Sequence, residues 1–506
     1  MDNLVRNDNL TLELKLSMSS HYRWYMTRLL TAVLVLHASL VTAQTIRLSS
    51  SGTASLPTTV ENEPFGSSDS SAFQHNPQLA SLNALSLVNH VQPCDGCDGQ
   101  SSCDGCGGCC HSCQCLLPEA PCVDCPRITT LNPNYNISIF GTLTLDMFFN
   151  AARPVSPGTP FFLASGSVAG LDQQNFDAHA RQSTLAAALS GPQFSGFQSG
   201  GLVMAAFYND AIIVDQYGFL PLQAYGELTS SNTRFAAGLQ FDVFSPGAPT
   251  VLPFSILNAS GNSGNAFRGQ LRLERFIRPS ADRQVTLQFA LSEPVATTID
   301  PLFRLSEDNG WPNVEGRIAL GCGMLDPATP DARRGFELGV SGVVGQLRTT
   351  LIANNQAVAD VWGLGVDFYW QITDRIGVTG EWFTGQGLGT YNAGVLQGIN
   401  LDTGEAIEAS GGWLELFVYW TPCVHSHFGY GVDDPKDSQV TPPDDPSDTG
   451  VIPLGRIKNQ TCFANMIWDV NSTFRIGAEL AYRDTDYLAL PDNHGLGFQS
   501  QVQWSF

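Results

Sequence analysis

LGFQSQVQWSF, residues 496–506, alternates apolar and polar side chains with a single lapse at Ser500. Leu496, Phe498, Val502, Trp504 and Phe506 share one face; Gly497, Gln499, Gln501, Gln503 and Ser505 share the other, because strand side chains point to opposite sides with period two. In a water-soluble sheet the apolar face would meet a core and the polar face bulk water. In a membrane barrel the apolar face meets lipid and the polar face a wet lumen.

The same pattern recurs upstream. In 137–149, Ile137, Ile139, Leu143, Leu145, Met147 and Phe149 form one stripe. In 266–277, Phe267, Gly269, Leu271 and Leu273 oppose Arg268, Gln270, Arg272 and Glu274; in 284–292, Val285, Leu287, Phe289 and Leu291 oppose Gln284, Thr286, Gln288 and Ser292. In 361–370, Trp362, Leu364, Val366, Phe368 and Trp370 stand against Gly363, Gly365, Asp367 and Tyr369, and in 474–483 Phe474, Ile476, Ala478, Leu480 and Tyr482 stand against Arg475, Gly477, Glu479 and Arg483. Each segment alone is a weak signal, and the repetition carries the reading.

The connections give a second test. Walking back from Phe506, segments 486–493, 432–455, 393–410, 294–312 and 246–265 read as long loops, and 469–472, 421–423, 371–374, 278–282 and 229–232 read as tight turns. Short and long connections alternate, apart from a longish stretch at 322–333 and an indistinct one near 192–199. A sandwich has no reason to alternate in this way; an up-and-down barrel does. The fold predicted is all-β, a transmembrane antiparallel β-barrel of about 16 strands over 134–506. A barrel of that size leaves an aqueous channel unless a loop or plug fills it.

Upstream the composition changes. MTRLLTAVLVLHASLVTA, from Met26, sets Arg28 ahead of an apolar run and ends on a small-residue cleavage site, Val41-Thr42-Ala43. Residues 1–43 therefore read as a secretory signal peptide with an extended n-region, and beyond Ala43 no stretch approaches the roughly 18 apolar residues of a membrane helix. Residues 44–93 form a Ser/Asn-rich linker without the apolar content of a packed domain. Residues 94–126 are a Cys-rich segment, CDGCDGQSSCDGCGGCCHSCQCLLPEAPCVDCP, carrying Cys94, Cys97, Cys103, Cys106, Cys109, Cys110, Cys113, Cys115, Cys122 and Cys125. Paired CxxC spacings suit disulfides, zinc, iron–sulfur or thiol-reactive chemistry, and export to an oxidising space favours disulfides. A segment with so little apolar core could crosslink protomers or attach the barrel to the cell wall.

Cleavage after Ala43 takes three acidic and four basic residues from totals of 47 and 25, leaving 44 against 21. An excess of acid on that scale excludes a nucleic-acid partner, which needs a basic surface. Of the remaining bases only Lys436 and Lys458 are lysine. Arginine enrichment fits bidentate contact with carboxylates, and it fits equally a GC-rich genome.

Parity places Arg234, Arg268, Arg272, Arg317, Arg475 and Arg483 on the lumen side with Glu227, Glu274, Glu315, Glu381, Glu415 and Glu479. Rings of such charges select ions, Arg favouring anions; the alternative is that they pair across the wall. Arg234, Arg268 and Arg272 stand out because they flank the 246–265 loop, whose Pro246, Pro249, Pro253 and apolar VLPFSIL centre predict that it folds into the lumen. No catalytic motif occurs: GxSxG is absent, and His179, His425, His427 and His494 fit no nucleophile or metal pattern. No enzyme activity, cofactor or metal is expected.

HARQSTL at 179–185, LQAYGEL at 222–228, the stretch from Arg234 through GLQFDVFSPGAPTVLPF at 238–254, and the strand around Arg268 resemble the DcaP-type, dicarboxylate-associated porins over residues of about 130–506. The resemblance implies a homotrimer of sixteen-stranded barrels in the outer membrane, its lipid the solvent of the outer face, with a constricting loop admitting small anionic solutes by passive diffusion. It also implies that Trp504 and Phe506 serve as a C-terminal assembly signal, and that the Cys-rich arm, which replaces the helical coiled-coil arm common in that family, lies in the periplasm. The alternative function is structural, a barrel anchoring the outer membrane to the cell wall through that arm.

Overall fold

In the computed structural model the described residues are 127–129, 135–166, 174–209, 215–295, 309–325, 334–349, 357–443 and 454–506. The predicted signal peptide, linker and Cys-rich segment lie outside them. Eighteen strand segments follow in chain order. They are β1 (Arg127–Thr129), β2 (Asn136–Asn150), β3 (Asn175–His179), β4 (Thr184–Phe194), β5 (Phe197–Tyr208), β6 (Tyr217–Thr229), β7 (Thr233–Phe241), β8 (Phe267–Ser280) and β9 (Arg283–Ser292). The second half holds β10 (Asn313–Leu325), β11 (Arg334–Thr349), β12 (Ala357–Gln371), β13 (Ile376–Gln386), β14 (Glu408–Thr421), β15 (Val424–Pro435), β16 (Arg456–Asp469), β17 (Phe474–Tyr487) and β18 (Asn493–Ser505).

Every neighbour is antiparallel, and β18 returns to β2, pairing Gly497 with Asn150 and Ser505 with Thr142, so no edge is left. The eighteen segments make sixteen wall positions. β1 is a short addition against the start of β2. β3 and β4 are two halves of one strand, both paired with β2, interrupted at 180–183. The result is a closed sixteen-stranded antiparallel barrel.

The outward rows are apolar and exposed: Leu143 and Leu145 on β2, Leu271 and Leu273 on β8, Ile318 and Leu320 on β10, Val340 and Val344 on β11. The inward rows are polar or small and buried. This inverts the arrangement of a soluble protein and is the arrangement a lipid solvent demands. Trp370, Trp420, Trp468 and Trp504 close the outward rows of β12, β14, β16 and β18 at one rim. Indole rings at that level mark a membrane–water interface.

That rim carries the tight turns, at 195–196, 230–232, 281–282, 372–375, 422–423 and 470–473, together with the longer 326–333 connection. The opposite rim carries the long connections, among them 151–174, 242–266, 293–312, 387–407 and 436–455. The alternation read from sequence therefore holds, with shifted boundaries. Strand β15 runs on to Pro435, so Asp433 and Asp434, which fall in the 432–455 stretch read above as a long loop, belong to the wall. The indistinct stretch near 192–199 is a hairpin turning at Ser195-Gly196.

Val340 sits mid-wall, its Cα partners Ile318 and Val366 both outward. Val340→Arg should lower the unfolding free energy of the vesicle-inserted barrel by about 2–4 kcal/mol, the cost of a lipid-facing arginine near the bilayer midplane. Equilibrium unfolding in urea checks this; an unchanged midpoint would mean that this face does not meet lipid.

Candidate functional site

The site begins with a problem of unpaired amides. The 242–266 connection leaves β7, turns into the barrel and runs extended across the inner wall with no strand beside it. A buried backbone N–H without a partner costs free energy comparable to a lost hydrogen bond. Three positions, Pro246, Pro249 and Pro253, have no N–H to satisfy. Six of the others, Val243, Phe244, Ser245, Gly247, Thr250 and Leu252, meet side chains that project from the wall.

Glu315 on β10 accepts from the N–H groups of Val243 (2.6 Å) and Phe244 (3.1 Å). Ser341 on β11 accepts from Ser245 N–H (3.0 Å). Glu381 on β13 accepts from Gly247 (2.8 Å), Glu415 on β14 from Thr250 (2.5 Å) and Glu479 on β17 from Leu252 (2.9 Å). All four glutamates are buried. In return Asn465 and Gln501 donate to the carbonyls of Thr250 and Leu252. The wall carboxylates thus form a rail, and the loop follows it from β10 to β17.

Inward glycines make room for the loop. A Cβ at Gly363 would lie 2.7 Å from the Phe244 ring, one at Gly477 2.8 Å from Leu252, and one at Gly431 2.2 Å from the Ser260 carbonyl oxygen. The returning limb is tied to the outgoing one by Asn262 and Asn265, both donating to Gly247 O (2.8 and 2.7 Å), and to β16 by Asn459 and Thr461.

Other loops join it. Phe161 and Phe162 of the 151–174 connection and Val395 of the 387–407 connection pack with Phe254, Met204, Tyr208, Leu220 and Leu222. Tyr391 packs with Phe244, Val343, Val361 and Phe383, and Leu257 with Trp413 and Phe463. Asp433 repeats the glutamate motif, accepting from the N–H groups of Gly394 (3.0 Å) and Val395 (2.8 Å). Three loops therefore fill the long-loop half of the barrel with apolar clusters.

The arginines singled out from sequence lie inside this packing. Arg234, Arg268 and Arg272 are 1%, 0% and 1% exposed. Arg234 bonds Glu227 (2.5 Å), Glu274 (2.9 Å) and Gln240 (3.0 Å). Arg268 bonds Asp242 (2.6 Å) and the carbonyls of Glu293, Pro294 and Thr390, and its guanidinium lies 3.7 Å from the Tyr391 ring centroid. Arg272 bonds Gln270 (3.0 Å) and the Phe241 carbonyl, with Glu274 3.8 Å away. Arg317 stands apart, paired with Asp367 (2.5 Å) and Glu337 (2.8 Å). Glu227 and Glu274 thus belong to the arginine network, and Glu315 to the rail. Arg268 and Asp242 fasten the base of the in-folded loop, since Asp242 also accepts from Ala266 N–H (3.1 Å).

Arg483, inward on β17 and 6% exposed, makes no direct ion pair or hydrogen bond among the described residues, with Glu479 the carboxylate whose charge acts on it. Its guanidinium lies over Gly497, where a Cβ would come within 2.7 Å of Nη1. A second run of titratable groups leads from the rail toward the short-turn rim. His427 meets Glu415 (2.6 Å) and His425 (2.7 Å), and Asp469 sits between His425 (3.3 Å) and Arg475 (2.5 Å).

Asp177, His179 and Asp215 bring potential metal ligands within 4.8 Å of one another. Arg181 already bridges the two carboxylates (2.5 and 2.7 Å), and its backbone N–H donates to His179 Nδ1 (3.2 Å). The guanidinium takes the place a cation would occupy, and the Nδ1 lone pair is engaged. Phe506 exchanges both backbone hydrogen bonds with Gly141 (3.1 Å each), and its ring lies tilted against that of Trp504, with 5.6 Å between centroids.

No family model and no curated protein matches the chain. Among solved structures it is similar to the outer membrane channel DcaP of Acinetobacter baumannii at 15% identity and a TM-score of 0.53, covering 74% of this chain and 98% of that one. It is also similar to an anion-selective porin from Comamonas acidovorans, at 10% identity and a TM-score of 0.47 over 74% of this chain and all of that one. The chain has the porin fold. At these identities the likeness is one of fold, and the loop-and-rail interior is described from this chain's own residues.

Glu315→Ala removes the acceptor for two buried amides and should destabilise the folded barrel by about 1–3 kcal/mol. Urea unfolding of the reconstituted protein measures it. A loss below about 0.5 kcal/mol would show that the loop amides find water instead.

Proposed function

We propose that this chain is an outer-membrane porin that lets small hydrophilic solutes, preferentially small carboxylate-type anions, diffuse passively. The observation that carries the reading is the constricting loop held inside a sixteen-stranded wall, since a segment so placed sets the width of whatever passage the barrel leaves. No step of bond chemistry is assigned to any residue. Selectivity follows from width and from the charge facing the passage.

The anion preference rests on Arg483. Arg234, Arg268, Arg272 and Arg317 have carboxylates within reach, so their charge is neutralised locally and their part is to hold the loop. Arg483 has no carboxylate at bonding distance among the described residues; Glu479, the acid whose charge acts on it, is engaged by Leu252 of the loop, and a guanidinium so placed favours an anion beside it. The filled long-loop half makes the passage narrow, so conductance is small for a barrel of this size.

A homotrimer belongs to the proposal. Midway along the outward face of β4 to β7 lies a patch of small residues, Ala187, Val203 and Ala224 in one cross-strand row that ends on Leu239, and Gly201, Gly226 and Ala237 in the next, which begins on Leu189. Such a face lets neighbouring walls approach closely. The second reading, a structural barrel that anchors the membrane and conducts nothing, is favoured by the apolar clusters that pack the interior.

Planar-bilayer recording under a KCl gradient tests the function. Small stable steps with a reversal potential on the chloride side are expected, with Arg483→Gln moving that potential toward zero. Gly431→Val, which pushes on the Ser260 carbonyl, should displace the returning limb and enlarge the steps several-fold. A correctly inserted barrel that stays silent in both forms would overturn the porin reading in favour of the structural one; cation preference unchanged by Arg483→Gln would overturn the anion assignment alone.

A further inference from the structure

Glu415 differs from the other carboxylates of the rail. One of its oxygens accepts from Thr250 N–H (2.5 Å), but the other faces an imidazole, His427 Nδ1, at 2.6 Å. From there contacts run atom to atom along the inner wall: His427 Nε2 to His425 Nδ1 (2.7 Å), His425 Nε2 to Asp469 Oδ2 (3.3 Å), and Asp469 Oδ1 to Arg475 Nε (2.5 Å). Glu415, His425 and His427 are buried, whereas Asp469 and Arg475 are partly exposed on either side of the 470–473 turn.

Two carboxylates and two imidazoles in line leave three gaps: Glu415 to His427, His427 to His425 and His425 to Asp469. Each gap needs one hydrogen, because an ionised carboxylate and a bare ring nitrogen can only accept. Two neutral imidazoles bring two hydrogens between them. With the end gaps filled, the middle gap would set two lone pairs against each other at 2.7 Å unless the line holds a third proton. The rings are fixed in this arrangement. Tyr419 lies against His425 with 5.0 Å between ring centres, Phe417 lies against His427 at 6.4 Å, and the backbone N–H of His427 donates to Asn465 Oδ1 (3.2 Å).

We propose that His425 and His427 form a proton site on the inner wall, sharing one proton beyond those of two neutral rings, and that its charge makes the anion preference of the passage depend on pH. Among the described residues, the titratable and charged groups facing the pair are Glu415 and Tyr419 on β14, Asp469 on β16, and Arg475 and Glu479 on β17. Loop residues 243–252 carry no charge. The one fixed cation in this set, Arg475, engages Asp469, so the shared proton supplies the positive charge nearest Glu415. As pH rises the N–H bond at the shared position breaks, its electron pair stays on the ring nitrogen, and water at the partly exposed Asp469 end takes the proton. Acidification reverses the step and adds one positive charge to the wall beneath the loop, which favours anions.

Magic-angle-spinning NMR of the full chain in lipid, with isotope-labelled histidine, reads the site directly over about pH 5 to 8, the range in which imidazoles change charge. Expected is one proton correlated with nitrogens of two different rings, lost as pH rises, with both rings titrating at a single shared midpoint. His425→Gln should abolish that signal and leave His427 a midpoint of its own. His427→Gln is the reciprocal variant should the first fail to fold, heat-sensitive gel mobility reporting the fold. Rings that stay neutral throughout, rings that titrate independently with no proton between them, or a shared proton retained at every pH at which the barrel stays folded would each overturn the proposal. The selectivity effect rests on the porin reading and is measured separately. In planar bilayers the chloride preference of the wild type should rise on acidification more than that of His425→Gln, and equal pH dependence would overturn the link to selectivity. A silent barrel would count against the porin reading alone, while the NMR result decides the proton site.

Discussion

Four buried carboxylates facing a chain of unpaired amides hold this molecule's interior together. Glu315, Glu381, Glu415 and Glu479 stand on four strands around the inner wall, and each receives at least one N–H from residues 243–252. Neither side of the arrangement is tolerable alone. A buried carboxylate without donors is strongly unfavourable, and an extended backbone without acceptors leaves orphaned amides inside the barrel. Together each satisfies the other, and the cost of leaving either one buried without a partner is avoided.

From that rail the remaining features follow. The loop must leave β7 at a fixed angle, and the Asp242–Arg268 pair fixes it. Its side chains must fit against the wall, and Gly363, Gly431 and Gly477 supply the notches. Once the loop is in place, Phe254 and Phe244 offer apolar surface to the incoming 151–174 and 387–407 connections, and the clusters around Tyr208 and Tyr391 form. The barrel thus carries two solvents on its two faces: lipid outside, and a packed, partly apolar protein interior at the long-loop end.

The wall was legible from residues such as 361–370 and 496–506 because a strand between lipid and lumen repeats one binary choice every two positions. Parity also put every glutamate of the rail on the inner face, and the prolines with VLPFSIL pointed the loop inward. The partnerships were not legible. Glu315 and Val243 are seventy-two positions apart, and only the barrel's closure brings the wall and the loop together. For the same reason Arg234, Arg268 and Arg272 could be placed on the lumen side but not beneath the loop, and Arg483 looked no different from its paired neighbours. Asp433 falls inside the 432–455 stretch read as a long connection, whereas strand pairing with Gly411 makes it a wall residue.

The most direct measurement is backbone hydrogen exchange of the reconstituted protein, resolved at residues 243–252. The account predicts that the amides of Val243, Phe244, Gly247, Thr250 and Leu252 are protected as strongly as those of the neighbouring strands, and that Glu381→Ala selectively releases Gly247. Exchange of these amides at the rate of a solvated loop, while the wall stays protected, would contradict it.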